Sequence, residues 1–204
     1  ADGVENTLLN LVGKIGSAAQ GWYVLPTLIQ LLNYLTDIRI PVKSCAYYNI
    51  RRISSEHMMD PKDMLTSFEP KICTHLTKRM QFKGSLLDEV CSMILAVDPV
   101  DYLLKWCPSL IPKICLKRDG TLLEMIATKT GRKIPSLLID SMAAILVATV
   151  CTPDTTIDII AFIVDRVNLT ALELFSKFKD SILKGIILLL GDDEERKRVP
   201  TALN

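Results

Sequence analysis

The sequence predicts an all-α chain, an α-solenoid of about five stacked antiparallel helix pairs of the HEAT or armadillo kind. Three observations predict it. The segment Asp60-Pro61-Lys62-Asp63-Met64-Leu65, closing with Pro70-Lys71-Ile72-Cys73, recurs as Asp98-Pro99-Val100-Asp101-Tyr102-Leu103, closing with Pro112-Lys113-Ile114-Cys115. The two starts, residues 60 and 98, lie 38 positions apart, a repeat length suited to one helix pair. Apolar residues recur at helical spacing nearly throughout, and no stretch alternates with period two between turn signals. Third, the composition is 49% hydrophobic but only 6% aromatic, so the core is built mainly from aliphatic side chains, as helix-on-helix packing prefers.

Taken in order, Leu8, Leu11, Val12 and Ile15 make the first helical stripe. A turn containing Gly21 leads to a second helix over Val24 to Leu35, with Pro26 tolerable only in its first turn. Pro41 opens a third helix to about Ser55, with Val42, Cys45, Ala46 and Ile50 inward and Lys43, Arg51 and Arg52 outward. Asp60-Pro61, Asp98-Pro99 and Thr152-Pro153 each pair a capping side chain with a proline in the first turn, where its missing N–H costs no hydrogen bond.

Pro70 in the fourth helix, and Pro108 and Pro112 in the sixth, should kink those helices or split them. The bends fall on the later arm of a pair. Further helices are predicted over Ser85 to Val97, Thr121 to Thr130 (capped near Gly131), Pro135 to Thr149, Pro153 to Val167, and Thr170 to Leu190 (ended by Gly191). The pairs then run roughly 5–36, 39–80, 84–118, 120–151 and 152–190, with 192–204 as the start of a further helix. Each pair needs its neighbours to hide its apolar stripe. The sequence accordingly reads as one segment of a longer array, with apolar surface left open at both ends.

The formal net charge is +1 across 204 residues, so no global field draws nucleic acid or an anionic membrane. Locally the balance is uneven. Arg39 to Lys83 holds nine Lys/Arg and four Asp/Glu, whereas Ile134 to Glu195 holds four and ten. Arg51, Arg52, Lys78, Arg79 and Lys83 form a candidate basic interaction ridge, which Lys105, Lys113, Lys117, Arg118 and Lys129 would extend. Without a reading helix, such a ridge offers DNA phosphate contacts and no sequence choice.

Catalytic and metal-binding patterns are not legible. The cysteines at 45, 73, 91, 107, 115 and 151 form no C-x-x-C pair and mostly lie in apolar helical runs. They read as free thiols of an intracellular, reducing compartment. No metal, cofactor or catalytic residue is assigned. His57 and His75 lie in no nucleophile–base motif. Gly13-Lys14-Ile15-Gly16 lacks the spacing of a phosphate loop, and its glycines read instead as places of close helix packing. The longest greasy run, Ile134 to Cys151, contains Asp140 and Ser141 and reads as a buried helix, not a membrane span. Trp22 and Trp106 follow helical spacing toward the core, with partner anchoring as the rival role.

Three places carry a resemblance to a known family: Ser44-Cys45-Ala46-Tyr47-Tyr48-Asn49-Ile50-Arg51, the helix Leu65 to Leu76 with its Pro70-Lys71-Ile72-Cys73, and the stretch from Ser109-Leu110-Ile111-Pro112 to Ser141. Their order, over about Leu8 to Leu190, resembles the HEAT-repeat solenoid of ATR-type checkpoint kinases, within the phosphatidylinositol-3-kinase-related protein kinases. The resemblance implies a non-catalytic scaffold segment of a nuclear serine/threonine kinase that answers DNA damage and replication stress. It also implies contact with an ATRIP-like subunit and with neighbouring repeats. The kinase's catalytic motifs are not in this stretch. The alternative is a HEAT or armadillo protein-binding module of another large scaffold or transport protein.

Overall fold

A computed structural model describes residues 2–82, 86–150 and 153–190. The described residues are overwhelmingly helical and none lies in a strand. Contacts divide the chain into two compact units, Ala1–Tyr102 and Leu103–Asn204.

The first unit opens with α1 (Asp2–Ala18), a single 3-10 turn (Gly21–Tyr23), α2 (Val24–Leu32) and α3 (Ile40–Glu56). The helix predicted to Leu35 stops at Leu32 and passes into turns, although Leu35 itself is buried. Helices α1 and α3 lie side by side and run in the same direction. Cys45 Sγ reaches Asn6 O at 3.7 Å, Asn49 Nδ2 donates to Asn10 Oδ1 at 3.0 Å, and His57 Nε2 meets Gly16 O at 3.1 Å. Contacts that ascend together on both helices require a parallel pair.

Glycine sets the closeness of that seam. A Cβ on Gly13 would fall on the Asn49 side chain, and one on Gly16 would strike Ile53 of α3 and lie 2.6 Å from Thr27 Oγ1 of α2. The stripe of Leu8, Leu11, Val12 and Ile15 is therefore not the buried face. Leu9, Gly13 and Gly16 are buried, while Val4, Leu8, Leu11 and Ile15 are each more than half exposed. The contact distance is too short for leucine on the inner side, so the leucines point out.

Arg39 ties the start of α3 to α1. Its guanidinium grips Asp37 through Nε at 2.9 Å and Nη2 at 2.7 Å, and also pairs with Glu5. Along α3, Val42, Ala46, Ile50 and Ile53 are fully buried, whereas Cys45 is only half-buried.

The predicted fourth helix is two pieces, α4 (Pro61–Ser67) and α5 (Glu69–Arg79), broken at Phe68 with φ −111° and ψ 16°. Pro70 sits in the first turn of α5, where its ring is harmless. Next come α6 (Leu86–Val90), running into a π-helical turn (Cys91–Leu95), and then α7 (Pro99–Lys117). Ala96 closes the π-turn in the left-handed region at φ 54°. The two Asp-Pro starts differ in detail. Asp98 Oδ1 accepts from Val100 N at 2.8 Å, but Asp60 makes no side-chain cap bond. Pro108 and Pro112 lie inside an unbroken α7 and do not split it. The π-turn packs on α4, and α5 packs on α6.

The remainder of α7 belongs to the second unit, with α8 (Gly120–Thr130), α9 (Ile134–Asp140), α10 (Met142–Val150), a 3-10 turn (Pro153–Thr155), α11 (Thr156–Val167) and α12 (Ala171–Leu190). Asp119 caps α8 by accepting from Leu122 N at 3.0 Å, and Gly131 ends it at φ 66°. The helix predicted from Pro135 to Thr149 is broken at Ser141. A capping box starts α12: Thr170 N donates to Glu173 Oε2 at 2.8 Å, and Glu173 N donates to Thr170 Oγ1 at 3.2 Å. That bonding also holds the Glu173 carboxyl below its usual range.

A further break lies inside α12 at Phe178, φ −113° and ψ 18°. Phe68, Ser141 and Phe178 each come seven positions after the first residue of the arm, namely Pro61, Ile134 and Ala171. Proline accompanies only the first break, so proline is not the general cause. In the second unit the halves serve different neighbours: α9 packs on α8 and α11, whereas α10 packs on α12. A straight arm of that length would not follow both. Ser85, Cys151, Thr152, Gly191 and the further helix expected at 192–204 lie outside the described residues.

Gly16→Ala is expected to cost about 1–3 kcal/mol in urea unfolding, because overpacking at the three-helix junction outweighs the gain in helix propensity. Gly3→Ala is the control. No atom lies within 4 Å of its added methyl, so the same measurement should show no loss.

Candidate functional site

Four of the ridge residues lie on two helices of the first unit. Arg51 and Arg52 lie on α3, and Lys78 and Arg79 lie in the last turn of α5. Arg52 is half-buried and donates through Nη2 to Asn10 O on α1 at 3.2 Å. Lys78 and Arg79 stand where cations complement the carbonyl end of a helix. Only Arg51 and Lys78 are fully exposed among these four, and Lys83 lies outside the described residues. Of the proposed extension, Arg118 is paired with Asp158 at 2.7 Å and Lys105 lies over the Trp106 ring at 5.4 Å. Arg52, Arg118 and Lys105 thus have local partners.

Neither histidine is presented as a base. His57 Nε2 bonds to Gly16 O, and His75 Nε2 bonds to Asn33 Oδ1 at 3.0 Å, joining α5 to the end of α2. Burial lowers the pKa of His75 below the usual 6.5, and the nearby charges of Arg79 and Lys78 lower it further. Three of the thiols are shifted away from activation. Burial pushes Cys115 up to about 12 and also raises Cys107 and Cys45. A nucleophilic cysteine requires the opposite shift. The Tyr102 hydroxyl is likewise raised, chiefly by burial, with Cys73, Glu69 and Cys91 adding to it. Among the described residues, no group of three or more His, Cys, Asp or Glu is arranged to hold a metal ion.

What the fold does expose is apolar. Besides the outer stripe of α1, the tips after α1 and α3 present Trp22, Tyr23 and Met58 to solvent. Trp22 is 67% exposed, so the core placement expected from its spacing does not hold. It sits in the 3-10 turn before α2, where helical periodicity no longer dictates direction. Trp106 is half-buried on α7. In the second unit, α12 shows Leu172, Leu183 and Ile187, each more than half exposed. No helix among the described residues is long and apolar enough to cross a membrane. Surfaces of this kind bind other protein surfaces more readily than they enclose small molecules.

No family model matches this chain, and neither the curated proteins nor the solved structures contain a significant match to it.

The lowered His75 gives a signed pH dependence. Between its folded value and 6.5 the unfolded chain binds more protons, so stability rises with pH across that window. Stability is therefore expected to fall as pH drops through 6.5. His75→Gln, which keeps a donor for Asn33, should flatten that part of the profile in urea titrations. An unaltered slope in the variant would remove His75 as its source.

Proposed function

We propose that this chain is a non-catalytic helical-repeat scaffold segment of an ATR-like serine/threonine protein kinase of the DNA-damage and replication checkpoint. In this reading about five antiparallel pairs stack as a solenoid and mediate protein–protein contacts in the nucleus. Partners are an ATRIP-like subunit and adjoining repeats of the same array. The kinase lineage, the nuclear setting and the subunit are drawn from the sequence resemblance, whose first motif, Ser44 to Arg51, lies on α3.

One observation carries the scaffold part of the reading. The Asp-Pro segments recur 38 residues apart, and the Asn10–Asn49 hydrogen bond joins two parallel helices across 39 residues. Agreement between a sequence period and a contact separation is what side-by-side stacking of equivalent helices produces. The outer stripes of α1 and α12 support the same reading, because each offers an apolar face of the sort that a neighbouring pair covers. A semi-rigid stack held by nearest-neighbour contacts would act by presenting surface and by transmitting bending, with no chemistry of its own.

The test uses Leu8→Lys together with Leu11→Lys. Both positions are exposed, so the 204-residue chain should keep its stability within about 0.5 kcal/mol, whereas Leu9→Lys, at a buried site, should unfold it. Placed in the full-length kinase, the double substitution should reduce co-purification of the partner subunit and checkpoint phosphorylation. Normal assembly and signalling in that context would refute the stacking role of α1.

A further inference from the structure

The turns that follow α1 and α3 form one edge of the first unit. His57 Nε2 bonds to Gly16 O at 3.1 Å, which holds the end of α3 against the end of α1. Just beyond those ends, Trp22, Tyr23 and Met58 are 67%, 81% and 95% exposed. The Trp22 ring meets Phe68 edge-on, with centroids 5.4 Å apart and planes at 62°. Phe68 is the residue at the break between α4 and α5, so the aromatic pair is pinned by a fixed point of the backbone. Trp22 is thereby oriented on one side and open on the other.

Met58 adds an independent observation. It ends α3 at φ 56°, and Met59 N donates back to Ser54 O at 2.9 Å. That is the left-handed closing position of a helix, where glycine is the low-energy residue. Methionine there strains the backbone and projects its thioether wholly into water. Neither the strain nor the exposure helps the fold, while an adaptable, polarizable side chain suits the capture of apolar surface.

The charges around this edge choose the occupant. Glu56, Asp60 and Asp63 are exposed and lie within five positions of Met58 along the chain, and Lys62 is the only lysine or arginine among residues 54–68. Arg51, the nearest ridge cation in sequence, lies two helical turns back from Met58 along α3. The open face of Trp22 also favours a cation through its ring quadrupole.

We infer that this edge docks a segment of a partner protein in which apolar anchors are flanked by lysine or arginine. Met58 and Tyr23 take the apolar side chains, Trp22 takes a cation on its free face, and Glu56, Asp60 and Asp63 neutralise the flanking charges. The inference rests on the protein-binding reading above but not on the stacking of further pairs.

The chain holds two tryptophans, so Trp106→Phe leaves Trp22 as the only indole reporter. The probes are two synthetic amphipathic peptides sharing one leucine face, with lysines on the polar face of one and glutamates on the other. The lysine peptide should shift Trp22 emission to shorter wavelength and bind at least about tenfold more tightly than the glutamate peptide. Met58→Gly relieves the backbone strain, so it should fold at least as stably, yet weaken the lysine peptide by about tenfold. Equal affinity for the two peptides, or undiminished binding by Met58→Gly, overturns the inference. Leu8→Lys with Leu11→Lys separates the two proposals. Lysine-peptide binding that survives it belongs to the edge, and binding lost with it belongs to the α1 stripe and overturns the assignment.

Discussion

How closely α1 can approach α3 governs the first unit. Two glycines remove the side-chain layer from the inner face of α1, and Asn49, Ile53 and Thr27 occupy the space released. The seam is consequently more polar than a leucine interface. Asn10, Asn49 and Cys45 hydrogen-bond within it, and Asn6 Oδ1 and Asn49 Oδ1 are buried there without a hydrogen-bond partner. Buried amides accept few geometries, so such a seam specifies register at the expense of some stability. The outward turn of Leu8, Leu11 and Ile15 follows from the same constraint.

Broken arms are the second organising device. Phe68, Ser141 and Phe178 occupy the same position in their arms and share nearly the same backbone angles. The recurrence points to geometry, not to local chemistry, since a phenylalanine, a serine and a second phenylalanine have no common helix-breaking property. An arm divided in this way lets each half address its own neighbour. Where two prolines do fall inside an arm, at Pro108 and Pro112, α7 stays continuous. The prolines of α7 do not split it, and two of the three breaks that occur have no proline beside them.

Several titratable groups serve the structure. His57 and His75 fasten helix ends, burial holds the Cys107 and Cys115 thiols toward the protonated form, and the ridge arginine Arg52 closes onto a backbone carbonyl. Apolar surface is left open on the outer stripe of α1, on α12 and at the turns bearing Trp22, Tyr23 and Met58.

The sequence alone determined the helical class, because apolar periodicity and composition express local backbone preference and the need to bury one stripe. It also located the helix starts at Pro61 and Pro99, the start of the last helix to within one residue (Thr170 expected, Ala171 found), the stop at Gly131, the split beside Pro70 and the close-packing role of Gly13 and Gly16, all of which depend on local steric or capping rules. Only the tertiary structure decided which face of α1 is inside, where Trp22 points, which arms break without proline and that Arg52 is engaged with α1. Those outcomes turn on the distance between helices remote in sequence. A periodic stripe looks the same in one dimension whether a neighbour covers it or solvent does.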